Sequence, residues 1–476
     1  MKATTAICLL LFIACTITHH VHANIELPTI GGPSAGTEKE EQRIGSAWLK
    51  LYRQQVSTST DDIIIHYVEQ LLSKLVVYSD LPSQALSLVV VDNPAINAFA
   101  VPGGVIGIHT GLINAAESEQ QFASVLAHEL AHLSQRHYAR GVEAQKGQRL
   151  TTMAALLASL ILVASGDGDG GAAALTATQG LAIDQQLRFS RGFEQEADRL
   201  GMETLARAGM NPHAAAEMFE HMDRASRFSS KPPEFLLTHP LTSNRMADAL
   251  NLSRRYPKKT LPQNIDYHFV RARTTLLKED TPQQAIKRFQ NELTGVSVSP
   301  TATAYGLALA YINNKQFDDA ELSLAPVIKK HPKHPLVMIA HSDITAGKGD
   351  ITSAISMIQQ AVQKQPTNYP LQMQLSRLLT RGQQFSSATE WLNRLSAQRE
   401  TDPIVWYHLA EASGLSNDIT LLHKARAEYF ILYGNFDNAE QQLKELLKKA
   451  GSQDPLYTYA TQRLNELDSL RKAAKL

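Results

Sequence analysis

Small residues recur at a fixed interval in the C-terminal half, and that interval limits what this chain can fold into more than any other feature. Ala320, Ala354 and Ala388 stand 34 residues apart, and Ala285 lies 35 before the first of them. Pro335, Pro370 and Pro403 punctuate the same stretch at intervals of 35 and 33. A unit of this length cannot bury its apolar face alone, so neighbours must stack into a solenoid. The alanines mark where paired helices touch. Tyr305, Leu309, Phe317, Leu336, Phe385, Trp391 and Leu392 supply the apolar contacts between them.

Thirty-four residues is the period of the tetratricopeptide repeat. The spacing predicts four or five repeats starting near Asp266, within a repeat domain over residues 265–476, whose groove would take partner peptides or helices. Ala439 departs from the pattern, 51 residues after Ala388, or one and a half periods. The stretch 401–450 reads as irregular, so repeat borders are not fixed by the spacing.

The chain has 476 residues, of which 43% are hydrophobic and 19% charged, which excludes a single small module and a mostly disordered chain. Lys plus Arg and Asp plus Glu both total 46, so bulk charge gives no reason to expect a nucleic-acid partner. The two cysteines, Cys8 and Cys15, lie in an N-terminal segment with Lys2, an apolar stretch from Ala6 to Ile17, and Val21-His22-Ala23. That is the pattern of a secretory signal, residues 1–23, cleaved after Ala23. Lipid anchoring at Cys15 fits less well, because Phe12 is large for that processing. The cleaved chain would hold no cysteine and would stand on packing alone. Residues 24–46, with Gly31-Gly32-Pro33, read as an extended arm before a compact region over 47–258.

Within that region, Ile64, Ile65, Val68, Leu71, Leu72 and Leu75 recur at helical spacing over 61–78. Leu86 to Val91 reads as a strand, and Ile96 to Thr110 as two strands joined at Pro102-Gly103-Gly104, with the proline drawing them toward a sheet edge. Glu119 to Arg140 is periodic as one helix and contains His128-Glu129-Leu130-Ala131-His132. Residues four apart share a helical face, so both imidazoles can hold one metal ion with Glu129 beside it. Zinc is the natural occupant, one ion per chain, since it accepts imidazole nitrogen and a catalytic site needs three protein ligands and an open position.

The third ligand is expected on a second, acidic helix. Glu194 and Asp198 are four apart, so one can bind metal while the other accepts the free ring N–H of a ligand histidine. Glu196 points roughly 200° around that helix from Glu194, which favours Glu194 as the ligand. His137 is about 140° off the ligand face of its helix and reads as structural.

His128-Glu129-x-x-His132, Glu194-x-x-x-Asp198, and upstream Asn97-Ala98-Phe99-Ala100 with Pro102-Gly103-Gly104 together resemble the zinc metallopeptidases related to the HtpX heat-shock protease and the CAAX prenyl protease. The resemblance spans about residues 45–255. With a signal and helical repeats, the likeness is to the periplasmic branch that serves outer-membrane protein quality control. It implies an α+β, predominantly α-helical fold: a zincin-like metalloprotease domain with a small β-sheet, followed by a tetratricopeptide α-solenoid. It also implies unfolded or stalled outer-membrane proteins as substrates, and the outer-membrane assembly machinery as partner of the repeats. Water-mediated peptide hydrolysis would use Glu129 as base, with Asn97 to Ala100 pairing an extended substrate.

In the resembling family the segment Thr238-His239-Pro240 lies near the metal. His239 could stabilise the oxyanion with help from Arg245, or fill zinc's open position and silence the enzyme. Silencing leaves an alternative function, a chaperone-like adaptor. Met153 to Ala164 is an apolar run too short to span a bilayer; it reads as a buried helix or as a hairpin making peripheral membrane contact.

Overall fold

The computed structural model describes residues 38–144, 161, 191–227, 232–258 and 261–474. The signal segment and most of the apolar run 153–164 lie outside them; of that run, Ile161 is described and is buried beside Trp48 and Phe99. No described helix is long and apolar enough to cross a membrane.

The chain is helical from Glu38, so residues 38–46 are not the extended arm expected there; the rest of that stretch lies outside the described residues. Helix α1, Glu38–Gln55, opens on Glu38, Glu40 and Glu41, where acidic side chains complement the helix dipole, and it buries Ile44, Ala47, Trp48 and Tyr52. Helix α2, Asp62–Val76, starts where Asp61 accepts hydrogen bonds from the backbone of Ile63 and Ile64 at 3.0 and 3.1 Å.

Three strands follow, β1 (Ser87–Val91), β2 (Ala98–Val101) and β3 (Val105–His109), in the order β1-β3-β2. The expected turn holds: Gly103 and Gly104 take φ of +86° and +81°, a region open to glycine. The expected edge position holds for β2 alone. β3 is central, antiparallel to β2 and parallel to β1, because β1 inserts on its far side.

Helix α3 (Thr110–Ala115) leads to α4 (Glu119–Ser134), capped by the Ser118 hydroxyl on Gln121 N at 3.3 Å. The single helix expected to Arg140 breaks instead. Arg136 sits at φ +50°, and the chain resumes as α5 (His137–Ala144) in a new direction. Helix α6 (Arg191–Arg207) packs on α4 at close range because Gly201 lacks a side chain; a Cβ there would lie 3.1 Å from His128 N. Helices α7 (His213–Arg227), α8 (Phe235–Thr238) and α9 (Ser243–Ser253) complete this half.

Twelve helices run from Ile265 to Ala474, more than four or five repeats require. Ala285, Ala320, Ala354, Ala388 and Ala439 are all fully buried, each at the fourth position of its helix. Between the helices bearing Ala388 and Ala439 lie two helices, Pro403–Leu415 and Ile419–Leu432, where each earlier interval has one. One additional helix accounts for the spacing of one and a half periods.

The solenoid meets the first half through a shared apolar cluster and through ion pairs. Helix α10 (Ile265–Lys278) places Arg273 Nη2 2.6 Å from Asp61; Arg377 and Arg399 meet Asp62 and Glu69, both at 2.8 Å. Tyr267 donates its hydroxyl to the backbone oxygens of Ile113 and Ala116 at 2.8 and 2.9 Å.

Candidate metal centre

One turn of α4 separates His128 from His132, and their Nε2 atoms face each other at 2.9 Å. Helix α6 delivers Glu194 opposite them, with Oε2 3.5 Å from His128 Nε2 and Oε1 3.4 Å from His132 Nε2. A metal–nitrogen bond of about 2.0–2.1 Å sets the edge of a coordination tetrahedron near about 3.4 Å. The two histidine–Glu194 separations match that edge and the imidazole pair stands closer, so the three donor groups suit a divalent cation once the rings part by a few tenths of an ångström. His239 brings a fourth donor, and ligand atoms of all four residues lie within 4.8 Å of one another, all buried.

The surroundings favour positive charge. Asp198 Oδ1 lies 3.0 Å from His128 Nδ1, the ring nitrogen turned away from the cation position. Burial alone would lower the pKa of His128, yet Asp198 and Glu194 push it up to about 9, a measure of the negative potential a cation would meet. Burial opposes ionisation of Glu194, but His239, His128 and His132 hold its carboxyl well below the ordinary range.

Arg245, 3% exposed, is committed behind the ligands. Its Nε and Nη2 donate to Asp198 at 2.8 and 2.7 Å, and its Nη1 lies 2.8 Å from Glu194 Oε2 and donates to Pro240 O at 2.9 Å. Asp198 is thereby held below the usual carboxylate range although burial pulls the other way. Glu129 differs. Burial raises its pKa, and neither carboxylate oxygen has a hydrogen-bond partner among the described residues. Its Oε1 lies 3.6 Å from His239 Nε2.

His239 ends the single turn α8, where Pro240 forbids its continuation, at φ −121°. Its ring stacks on Phe235 at 4.6 Å, and Nδ1 reaches Glu194 Oε1 at 3.0 Å. The segment it caps is fastened to the sheet: Phe235 N donates to Ile96 O at 3.0 Å, and Asn97 Nδ2 donates to Glu234 at 3.3 Å. Asn97 O in turn accepts from His109 N at 3.0 Å, so by the antiparallel alternation the backbone polar groups of Ala98 and Ala100 point away from β3. Asn97, Ala98, Phe99 and Ala100 are all buried.

Glu196 lies away from the cation position, accepting from Arg140 Nη1 at 2.9 Å with His137 Nε2 at 3.1 Å. His137 touches the site after all: its Nδ1 is 2.9 Å from His132 Nδ1. The 140° offset holds only for an unbroken helix, and the bend at Arg136 folds His137 back beneath its neighbour.

The model of peptidase family M48 matches residues 65–253, and a tetratricopeptide repeat model matches 346–412. A Vibrio cholerae protein, named provisionally a beta-barrel assembly-enhancing protease, is 33% identical over 476 residues, covering 98% of this chain and 94% of that one. The beta-barrel assembly-enhancing protease of Escherichia coli K12 is 31% identical over 450 residues, covering 94% of this chain and 91% of its own. The mitochondrial metalloendopeptidase OMA1 of Schizosaccharomyces pombe is 32% identical over 180 residues, 38% of this chain and 50% of that protein. Because the likeness to whole proteases runs through the peptidase half and on into the repeats, the chain belongs to peptidase family M48, as a metallopeptidase that carries a tetratricopeptide array.

Proposed function

We propose that this chain is a zinc-dependent endopeptidase of the periplasm that removes misassembled outer-membrane proteins and assists their assembly, with the repeats recruiting clients and the assembly machinery. The observation that carries the reading is the buried donor set of His128, His132 and Glu194 with Glu129 against it. Two imidazoles and one carboxylate are the ligand types of a catalytic zinc. The signal-like N-terminus and the names of the relatives support the compartment and the clients.

Bound there, zinc supplies Lewis acidity toward water and toward the scissile carbonyl oxygen. Glu129 takes the proton of the attacking water and passes it to the leaving amine, a task suited to a buried carboxyl whose pKa is raised. Asp198 Oδ1, 3.0 Å from His128 Nδ1, is the carboxylate that would take the proton of that nitrogen and so fix its tautomer. Arg245 keeps Asp198 ionised and aimed and lies against Glu194, which supports a positioning role for it. An extended substrate adds to β2 through the outward backbone groups of Ala98 and Ala100. Main-chain pairing reads no sequence, so the enzyme should favour slack or unfolded segments.

His239 favours a second state. As a fourth donor it closes the coordination set, and a closed set leaves no position for water. The enzyme is then latent until the segment from Glu234 to Pro240 moves. Since that segment is tied to Ile96 and Asn97, a strand entering along β2 would loosen it. A permanently closed site would instead make the chain a chaperone-like adaptor.

Metal analysis of the purified protein tests the site. We expect close to one zinc per chain, lost on Glu194→Ala; metal-free wild-type protein prepared without chelators would overturn the reading. His239→Ala is expected to increase self-cleavage with zinc retained. Loss of all cleavage in that variant would assign His239 to the transition state instead.

A further inference from the structure

A histidine that binds metal through Nε2 carries its proton on Nδ1, and that N–H needs an acceptor to hold the ring at one angle. For His128 the carboxylate facing that nitrogen is Asp198, at 3.0 Å. For His132 the atom at that position is Nδ1 of His137, at 2.9 Å. Two ring nitrogens at this separation share one proton, which His132 supplies, so His137 Nδ1 accepts. The proton of His137 then sits on Nε2, where Glu196 Oε2 receives it at 3.1 Å. Arg140 Nη1, 2.9 Å away, keeps Glu196 in place.

We propose that His137 is a positioning residue for the metal site: it accepts from His132 and donates to Glu196, and so fixes the tautomer and ring angle in which His132 offers Nε2 to the cation. The proposal rests on reading the site as a metal centre. All donors in this row point one way, from His132 through His137 to Glu196. The relay ring is fully buried and lies flat on Phe193, with centroids 4.5 Å apart and planes 10° apart. Phe193 directly precedes the ligand Glu194, and the Arg140 guanidinium covers the same ring at 4.7 Å. One turn of α6 therefore delivers a ligand, the surface that orients the relay, and the carboxylate that ends it.

Zinc affinity of the full-length protein, measured by competition with a chromophoric chelator, tests this without relying on activity. His137→Phe keeps a flat ring on Phe193 and removes the acceptor; it is expected to weaken zinc binding by about 10–100-fold. His137→Asn offers an amide oxygen near the lost nitrogen and is expected to recover most of that loss. The visible spectrum of the cobalt-substituted protein should change in the Phe variant and return in the Asn variant. Affinity within about twofold of wild type for His137→Phe, or equal impairment in both variants, overturns the inference. Should the Phe variant fail to fold by circular dichroism, Glu196→Ala decides: a several-fold loss of affinity supports the relay, and unchanged affinity overturns it. A wild-type protein that binds no zinc overturns the metal reading and this inference together, whereas zinc retained with His137→Phe unaffected overturns this inference alone.

Discussion

Glu129→Gln is expected to keep its zinc and to cleave an unfolded protein substrate about 10²–10⁴-fold more slowly than wild type. The substitution preserves shape, and the carboxylate it replaces accepts no hydrogen bond among the described residues, so little of the fold depends on it. The amide cannot take a proton from water, and that proton transfer is the step the residue is assigned. Metal content and cleavage should therefore separate: ligand substitutions lose both, and this one loses cleavage alone. The same variant distinguishes the two functions. Full rescue of cells lacking the protein by Glu129→Gln would establish the adaptor, and failure to rescue despite normal abundance would establish that hydrolysis is needed. A variant that cleaves at the wild-type rate would remove Glu129 from the mechanism.

The parts legible in the sequence are those governed by a local period. Imidazoles four residues apart must share a helical face, and so must Glu194 and Asp198, and the structure brings all four together. The same arithmetic sends Glu196 to the other side, where it is found. It kept His137 out of the donor set, as found, but did not foresee its contact with His132, because it assumed a continuous helix and the positive φ of Arg136 has no periodic signature. The strand pair around Pro102-Gly103-Gly104 was readable from its turn, but the insertion of β1 beside β3 was not, because a parallel pairing leaves no mark at either strand. The alanine period located the paired helices, and its lapse to 51 residues recorded an additional helix rather than irregular chain. Least legible was the seating of α2 inside the solenoid. Asp61 announces itself as a helix cap, and nothing near it in sequence shows that its second oxygen meets an arginine 212 residues away.

That contact has a measurable consequence. Arg273→Ala is expected to destabilise the protein by about 3 kcal/mol, the low end for removing one partner of a buried pair, since both side chains keep some exposure. The cost comes from Asp61, left ionised among α2, α10 and the solenoid. Adding Asp61→Asn should therefore recover part of the loss, because asparagine still caps α2 and carries no charge to strand. The pH dependence has a definite sign. Burial would raise the pKa of Asp61, but Arg273 and the backbone N–H of Ile64 pull it below its ordinary value. Its contribution is thus complete above the unfolded aspartate pKa of about 3.9 and disappears as pH falls through the lower folded value. In urea unfolding, the gap between wild type and Arg273→Ala should be full at pH 7 and narrow only on the acid side. A gap under about 1 kcal/mol at pH 7, as for an exposed pair, would mean that the repeats hold the peptidase half by apolar packing and not through this charge.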